Sequence, residues 1–551
     1  LEQDPSHLEA RVELAGLHLR QAAYDKALDH IQIALSMDTY RPNSNYGAGN
    51  IYRATDDFVN AMESFGWAAR SMEYRSAAYT QMAEMTLAKN KLEESAELAS
   101  KAMDFNRYNI SALQVLAVIA RITDDREEAL AVLSRLLAID PLNHLAHYEM
   151  STYHQDYPLQ DYFRSELKQQ NYLELAINYI NLGQKETALE IFAAIDNPVA
   201  KLWMAFLEQQ NIDRSLELLE QVKSTSVNFV FPYRDESVKV FEWAEKMDTH
   251  WKFKYYLGLI YWGKNRLADA ARLLNVYRSN PDESVFYLSR ADLLYKFDHT
   301  DQLQDLQKAL KLDDGNWRVW NRLIDYYDQE GRYQEAMEAA ETAYKKWPEN
   351  YNLGLSYARG LLDNHLYGKC IKQLEKLNVL PFEGASASRT IYEGAYLGEA
   401  LKLFVRGQYK KSITLLEDAK VWPENLGVGK PFSPEQRQID FLQGLCYKLL
   451  GQASNQETSQ RALEQFTLEH YASGHPANIL GLLSLKSSGQ MAKADEIVEE
   501  LEQQESLPSK WVVAQYHQDL NAIKQFSSEL DQLDPIGFEM LNKMIQLQNQ
   551  Y

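Results

Sequence analysis

Residues 317–348 read WRVWNRLIDYYDQEGRYQEAMEAAETAYKKWP, and two helical patterns share the stretch. Trp320, Leu323, Ile324 and Tyr327 recur at the i, i+3, i+4, i+7 spacing that gathers apolar groups on one helix face. Gly331 and Tyr333 mark a turn, and Gly331 supplies the permissive backbone that ends the first helix. Ala336, Ala340 and Ala343 follow on a second helix. Pro348 cannot continue that helix and closes the unit. The small residues stand where the two helices must touch. A large side chain at Ala336 would hold them apart, at a cost of roughly 1–3 kcal/mol. One such hairpin is too thin to bury its apolar faces, so neighbours must stack on both sides.

The Ala336 position recurs at a fixed interval. Cys370 lies 34 residues beyond it and Gln302 lies 34 before it. Near the start of the chain Ala27, Ala61, Ser95 and Ala129 are separated by the same 34 residues. Tyr24, Phe58 and Leu92 stand at the turns, and Ile31, Phe65 and Leu133 follow one helical turn on. Leu257, Gly258, Tyr261, Leu267, Ala270, Leu274 and Pro281 spell out a further unit. Four blocks follow: a regular array over 1–141, degenerate units with insertions over 142–250, a second array over 251–420, and degenerate units with capping helices over 421–551. The insertions fall at 156–170 and 222–250, the second being the expected place for a change of curvature. The Asp140–Pro141 pair that closes the fourth repeat also occurs at Asp4–Pro5. Residues 1–5 therefore read as the tail of a repeat whose body precedes residue 1.

The order of these residues and their 34-residue period resemble the tetratricopeptide repeat over nearly the whole chain. The resemblance implies an all-α fold, a tetratricopeptide-type α-solenoid in which antiparallel helix pairs form a right-handed superhelix. It also implies that the first helix of each pair lines the concave face. Three segments, HWKFKYYLGLIYW (250–262), LPFEGA (380–385) and WPENLGVGKP (422–431), are similar to an uncharacterised group of large bacterial proteins. In that group a β-sandwich region similar to carbohydrate-active enzymes precedes the repeats. This resemblance implies a carbohydrate-linked setting and no particular activity.

Composition narrows the function classes. With 57 basic and 78 acidic residues the net charge is −21, the wrong sign for general nucleic-acid binding or for docking on anionic lipid. No apolar run approaches the ~18 residues of a membrane helix. Cys370 and Cys446 make neither a disulfide framework nor a zinc site. Gly427–Val428–Gly429–Lys430 lacks the spacing of a phosphate loop, and Pro431 follows where its helix would start. Helical spacing brings only His144 and His147 together, with His154 and Glu149 elsewhere, so ordinary surface or packing roles are expected. No catalytic residue, metal ligand or cofactor motif is assigned, and the chain is read as a non-enzyme.

Ligand binding remains. A subclass of the tetratricopeptide family clamps a C-terminal carboxylate with Lys and Asn. Here Asn50 fits one position, but Tyr46 replaces the Lys, so that clamp is not supported. Trp251, Tyr255 and Trp262, with Arg318, Asn321 and Asp325 two repeats later, are expected to point into the concavity, where aromatic and polar groups together suit a peptide, a protein loop or a sugar. The competing expectation is that the aromatics pack on the insertion 222–250. Two functions follow: a scaffold that binds a protein, a peptide or its own N-terminal domain, and a carbohydrate-binding or carbohydrate-processing protein whose chemistry lies on a preceding module.

Overall fold

The computed structural model describes residues 4, 6–275, 281–295 and 302–550. The expected repeat tail at 1–5 thus lies almost wholly outside the described residues. Within them are 32 α-helices, numbered α1–α32 in chain order, and no strand. The deciding stretch forms α20 (Trp317–Gln329) and α21 (Tyr333–Lys346), with Pro348 just past the end of α21. The 34-residue array forms α1 (Leu8–Arg20) with α2 (Tyr24–Met37), α3 (Pro42–Ala54) with α4 (Phe58–Ala68), α5 (Arg75–Ala88) with α6 (Leu92–Phe105), and α7 (Ile110–Ile122) with α8 (Arg126–Ile139). The fold is the expected tetratricopeptide-type α-solenoid.

The small residues sit where the packing argument puts them. Ala27, Ala61, Ser95, Ala129, Ala270 and Cys370 are completely buried, and Ala336 nearly so. Where the small residue carries a donor, it uses it across the hairpin. Ser95 Oγ donates to the Ala83 carbonyl at 2.7 Å, Ser215 Oγ to Ala205 at 2.9 Å and Ser412 Oγ to Ala400 at 2.8 Å. The group can therefore be polar at no desolvation cost, because its hydrogen bond is made.

Many of the turns end their first helix in the left-handed region. Gly331 does so at φ +68°. Ala22, Asp56, Asn90 and Asp124, again 34 residues apart, adopt φ between +52° and +60° without being glycine. The 34-residue period is thus also a period of backbone conformation.

The chain divides into two compact units, Leu1–Leu312 and Asp313–Tyr551. In both, consecutive first helices touch, as α1 does α3 and α20 does α22 (Tyr351–Asp363), while consecutive second helices do not pack to the same extent. The first helices thus form a continuous face along the stack in each unit.

In the first unit the segment after Pro141 yields α9 (His144–Tyr153) and a single turn, α10 (Leu159–Tyr162), in place of a second helix. The second insertion contains α15 (Ser237–Met247), a helix without a hairpin partner that the sequence pattern did not reveal. This unit also closes on itself. Lys264 Nζ and Arg266 Nη1 each donate at 3.3 Å, to the carbonyls of Arg20 and Ala22 at the end of α1. Cations at the last carbonyls of a helix satisfy acceptors that have no intrahelical donor.

In the second unit α22 and α23 (Tyr367–Leu374), α24 (Ala387–Val405) and α25 (Tyr409–Ala419), and the pairs up to α30 (Leu507–His517) and α31 (Leu520–Leu533) continue the stack. The loops 378–386 and 420–436 are tied together by Val379 N donating to Asn425 O at 2.8 Å. The last helix, α32 (Pro535–Gln550), turns back. It packs on the first helices α24 and α26 (Arg437–Leu449) as well as on α31.

Candidate binding face

The aromatic part of the sequence-derived site is packed, not presented. Trp251 and Tyr255, on α16 (Trp251–Gly263), are 5% and 2% exposed. Their rings lie 5.4 and 5.7 Å from that of Phe286 on α18 (Ser284–Leu294), the next first helix. Tyr255 Oη meets Ser289 Oγ at 3.0 Å, and burial pushes its hydroxyl pKa up to about 12. The neighbouring repeat thus supplies part of the cover, and the insertion 222–250 also packs on α16 through its helix α15. Lys252 ties the insertion down as well, its Nζ donating to the Lys223 carbonyl at 2.9 Å. Trp262 remains half-buried.

Arg318, Asn321 and Asp325 lie on α20 in the second unit. Arg318 is exposed, with its guanidinium 4.8 Å from the Trp317 ring centre. Asn321 Nδ2 donates to Asp325 Oδ2 at 3.1 Å. Asp325 lines a cavity of about 190 Å³ with Asp328, Leu355, Ser356, Arg359 and Ile391. Those residues come from α20, α22 and α24, all first helices.

A second cavity, of about 450 Å³, shares Arg359 and runs on beneath α32. Arg389, Glu393, Glu435, His475 and Asp534 contribute its ionisable groups. Together the two cavities trace one groove along the first-helix face of the second unit.

The groove residues follow the repeat period. Asp325, Arg359 and Glu393 are 34 residues apart, as are Asn321, Leu355 and Arg389. Sequence reasoning named the first member of each row and missed the others. Adding the period to Asp325 and Asn321 would have found them.

The groove is short of positive charge. Arg389 Nη2 donates to Glu393 at 3.0 Å and to the Ala419 carbonyl at 2.7 Å, and Nη1 donates to Val421 O at 2.9 Å. Even so, burial and the neighbouring Glu435 raise Glu393 to about 7 against the pull of Arg389. Glu435 is held below the usual carboxylate range: Arg437 bonds and attracts it, outweighing the opposing effect of burial. Burial likewise raises Asp363 to about 7, with Asp328 and Asp534 adding to the shift and Arg359 opposing it. Arg359 also opposes the upward shift that burial gives Asp328. One guanidinium therefore serves several carboxylates.

His147, on α9, packs against the first insertion, and His154 is exposed. His147 Nδ1 meets Tyr157 Oη at 2.6 Å, Nε2 meets Pro141 O at 2.8 Å, and the ring stacks on Tyr162 at 3.5 Å. Among the described residues no group of three or more His, Cys, Asp or Glu is placed to hold a metal ion. No helix there is long and apolar enough to cross a membrane.

Comparison with known proteins reaches the repeat class. The family model described as tetratricopeptide repeat matches residues 234–284 and 289–351. Among solved structures the chain is similar to yeast Tom70, at 15% identity and TM-score 0.28 over 92% of this chain and 99% of that one. It is similar to Naa15/Naa10 bound to HypK-THB, at 12% identity and TM-score 0.27 over 99% and 92%. It is also similar to the APC/C hetero-tetramer Cut9–Hcn1, at 12% identity and TM-score 0.27 over 92% and 96%. TM-scores of this size carry no argument about this chain. No curated protein matches. These matches do not extend to the bacterial group with a preceding β-sandwich.

Proposed function

We propose that this chain is a non-catalytic scaffold that binds a protein partner through the first-helix face of its second unit. The groove lined by Asp325, Arg359 and Glu393 carries the proposal. It supplies apolar walls, such as Leu355 and Ile391, around charged groups at one-repeat spacing. That combination suits a peptide or helix whose side chains enter successive repeats. A sugar-binding reading has no observation in its favour, since Trp251 and Tyr255 are packed inside the first unit.

A photo-crosslinking residue placed at Ser356, in the groove, tests the proposal against one at Thr342, which is exposed on α21. A discrete protein adduct from Ser356 and none from Thr342 is expected. Equal labelling from both positions, or adducts from Thr342 alone, would overturn it.

A further inference from the structure

The groove of the second unit already holds a helix. Ile536, Phe538, Met540, Leu541 and Met544 of α32 are buried, and α32 lies against α24 and α26. Phe538 meets the Trp511 ring edge-on at 5.1 Å. An amphipathic helix with its apolar residues in an apolar groove is the same arrangement by which separate proteins recognise helical ligands.

The fit of α32 is incomplete. The cavity of about 450 Å³ remains between it and the groove floor. Gly537 lines that cavity and brings no side chain to it. A Cβ added at Gly537 would clash with the Asp534 carboxylate, which must shift to admit a side chain there. Of the carboxylates in and beside the cavity, Glu393 is bound by Arg389 and Glu435 by Arg437, whose Nε donates to it at 2.8 Å. Asp328 and Asp363 have the Arg359 guanidinium to share, and Asp534 accepts from the Gly537 amide at 3.1 Å. The raised values of Asp363 and Glu393 report the same shortage of positive charge. An inserted ammonium or guanidinium group would meet carboxylates on both sides, in a space where charge attraction is stronger than in water.

Resting on the scaffold reading, we propose that α32 is a displaceable occupant of this groove, and that the partner presents an amphipathic helix with a basic side chain on its apolar face. The basic group enters the cavity that α32 leaves empty, and α32 swings out from the Asp534–Pro535 junction.

The test uses the full chain and synthetic peptides of residues 535–550. One peptide carries Gly537→Lys and its control carries Gly537→Glu. Fluorescence anisotropy measures binding, and hydrogen exchange follows the α32 amides. The lysine peptide is expected to bind at least tenfold more tightly than the glutamate peptide and to speed α32 exchange at least fivefold. A chain with Asp363→Asn and Glu393→Gln should lose most of that preference. Met544→Ala, which loosens α32 without touching the carboxylates, should strengthen binding of the lysine peptide. Equal binding of both peptides would overturn the proposal. So would binding with unchanged α32 exchange, or no binding to either the parent or the Met544→Ala chain. A native adduct at Ser356 despite such a failure would leave the scaffold function standing and remove only the role given to α32.

Discussion

Ser412 Oγ donates to the carbonyl of Ala400 at 2.8 Å, at the point where α25 crosses α24. Cys370 makes the equivalent contact, with Sγ 3.1 Å from Ala358 O. The contact explains why this position is alanine in some repeats and a small hydrogen-bond donor in others. Volume is restricted there, and polarity is tolerated because the acceptor lies one helix away. Ser412→Ala should therefore cost no more than about 1 kcal/mol, the net worth of one neutral hydrogen bond. Ser412→Leu should cost at least the roughly 1–3 kcal/mol of overpacking. Urea unfolding of the two variants checks the order, and equal losses would count against close helix approach at this site.

Gly331 occupies its turn at φ +68° with nothing within 4 Å of an added Cβ. Gly331→Ala therefore isolates backbone strain, and should destabilise by about 1–2 kcal/mol. Gly331→Asn should lose less, because Asn90 and Asn265 adopt the same conformation at φ +57° and +58°. Thermal or urea midpoints of the two variants give the comparison.

Burial raises the Cys370 thiol to about 12 and the Cys446 thiol to about 11. The thiolate is the reactive form, so both groups should resist a thiol reagent at pH 8 in the folded chain. Labelling should follow unfolding in denaturant, with two equivalents taken up. Rapid native labelling at either cysteine would contradict its burial.

Asp363 and Glu393 hold their protons to about pH 7 in the folded chain. Unfolded carboxylates release theirs near pH 4. Between these values the native state binds more protons, so stability falls as pH rises from about 4 to about 7. Below that window the two groups cost nothing, and above it their full penalty is present. Asp363 faces Arg359, Asp328 and Asp534, and Glu393 faces Arg389 and Glu435. Asp363→Asn should raise the urea midpoint at pH 8 and leave it nearly unchanged at pH 4. A loss of stability at pH 8 would show that the Arg359 attraction outweighs the burial cost.

Much of this architecture is written locally. The helix faces, the small residues at Ala27, Ala61, Ala129, Ala270 and Ala336, and the stop at Pro348 depend on neighbours within one or two repeats, so periodicity exposes them. The left-handed turns at Ala22 and Asp124 escaped notice, because neither residue type signals that conformation as glycine does. The burial of Trp251 and Tyr255 depends on how Phe286 of the next hairpin is rotated, which spacing does not encode. Contacts across the curve are harder still. Lys264 reaches the Arg20 carbonyl across 244 residues of sequence, a separation no local pattern spans. The return of α32 has the same character: its apolar face is legible, but the groove it enters is not.

The central claim is that each hairpin is stabilised chiefly by its immediate neighbours, so the chain behaves as a stack. Hydrogen exchange of the full chain carrying Ser412→Leu tests this most directly. The account predicts faster exchange in α24 and α25, spreading to the adjoining hairpins of the second unit, while α5 and α6 keep the rates of the parent chain. A uniform acceleration from α1 to α32 would contradict it.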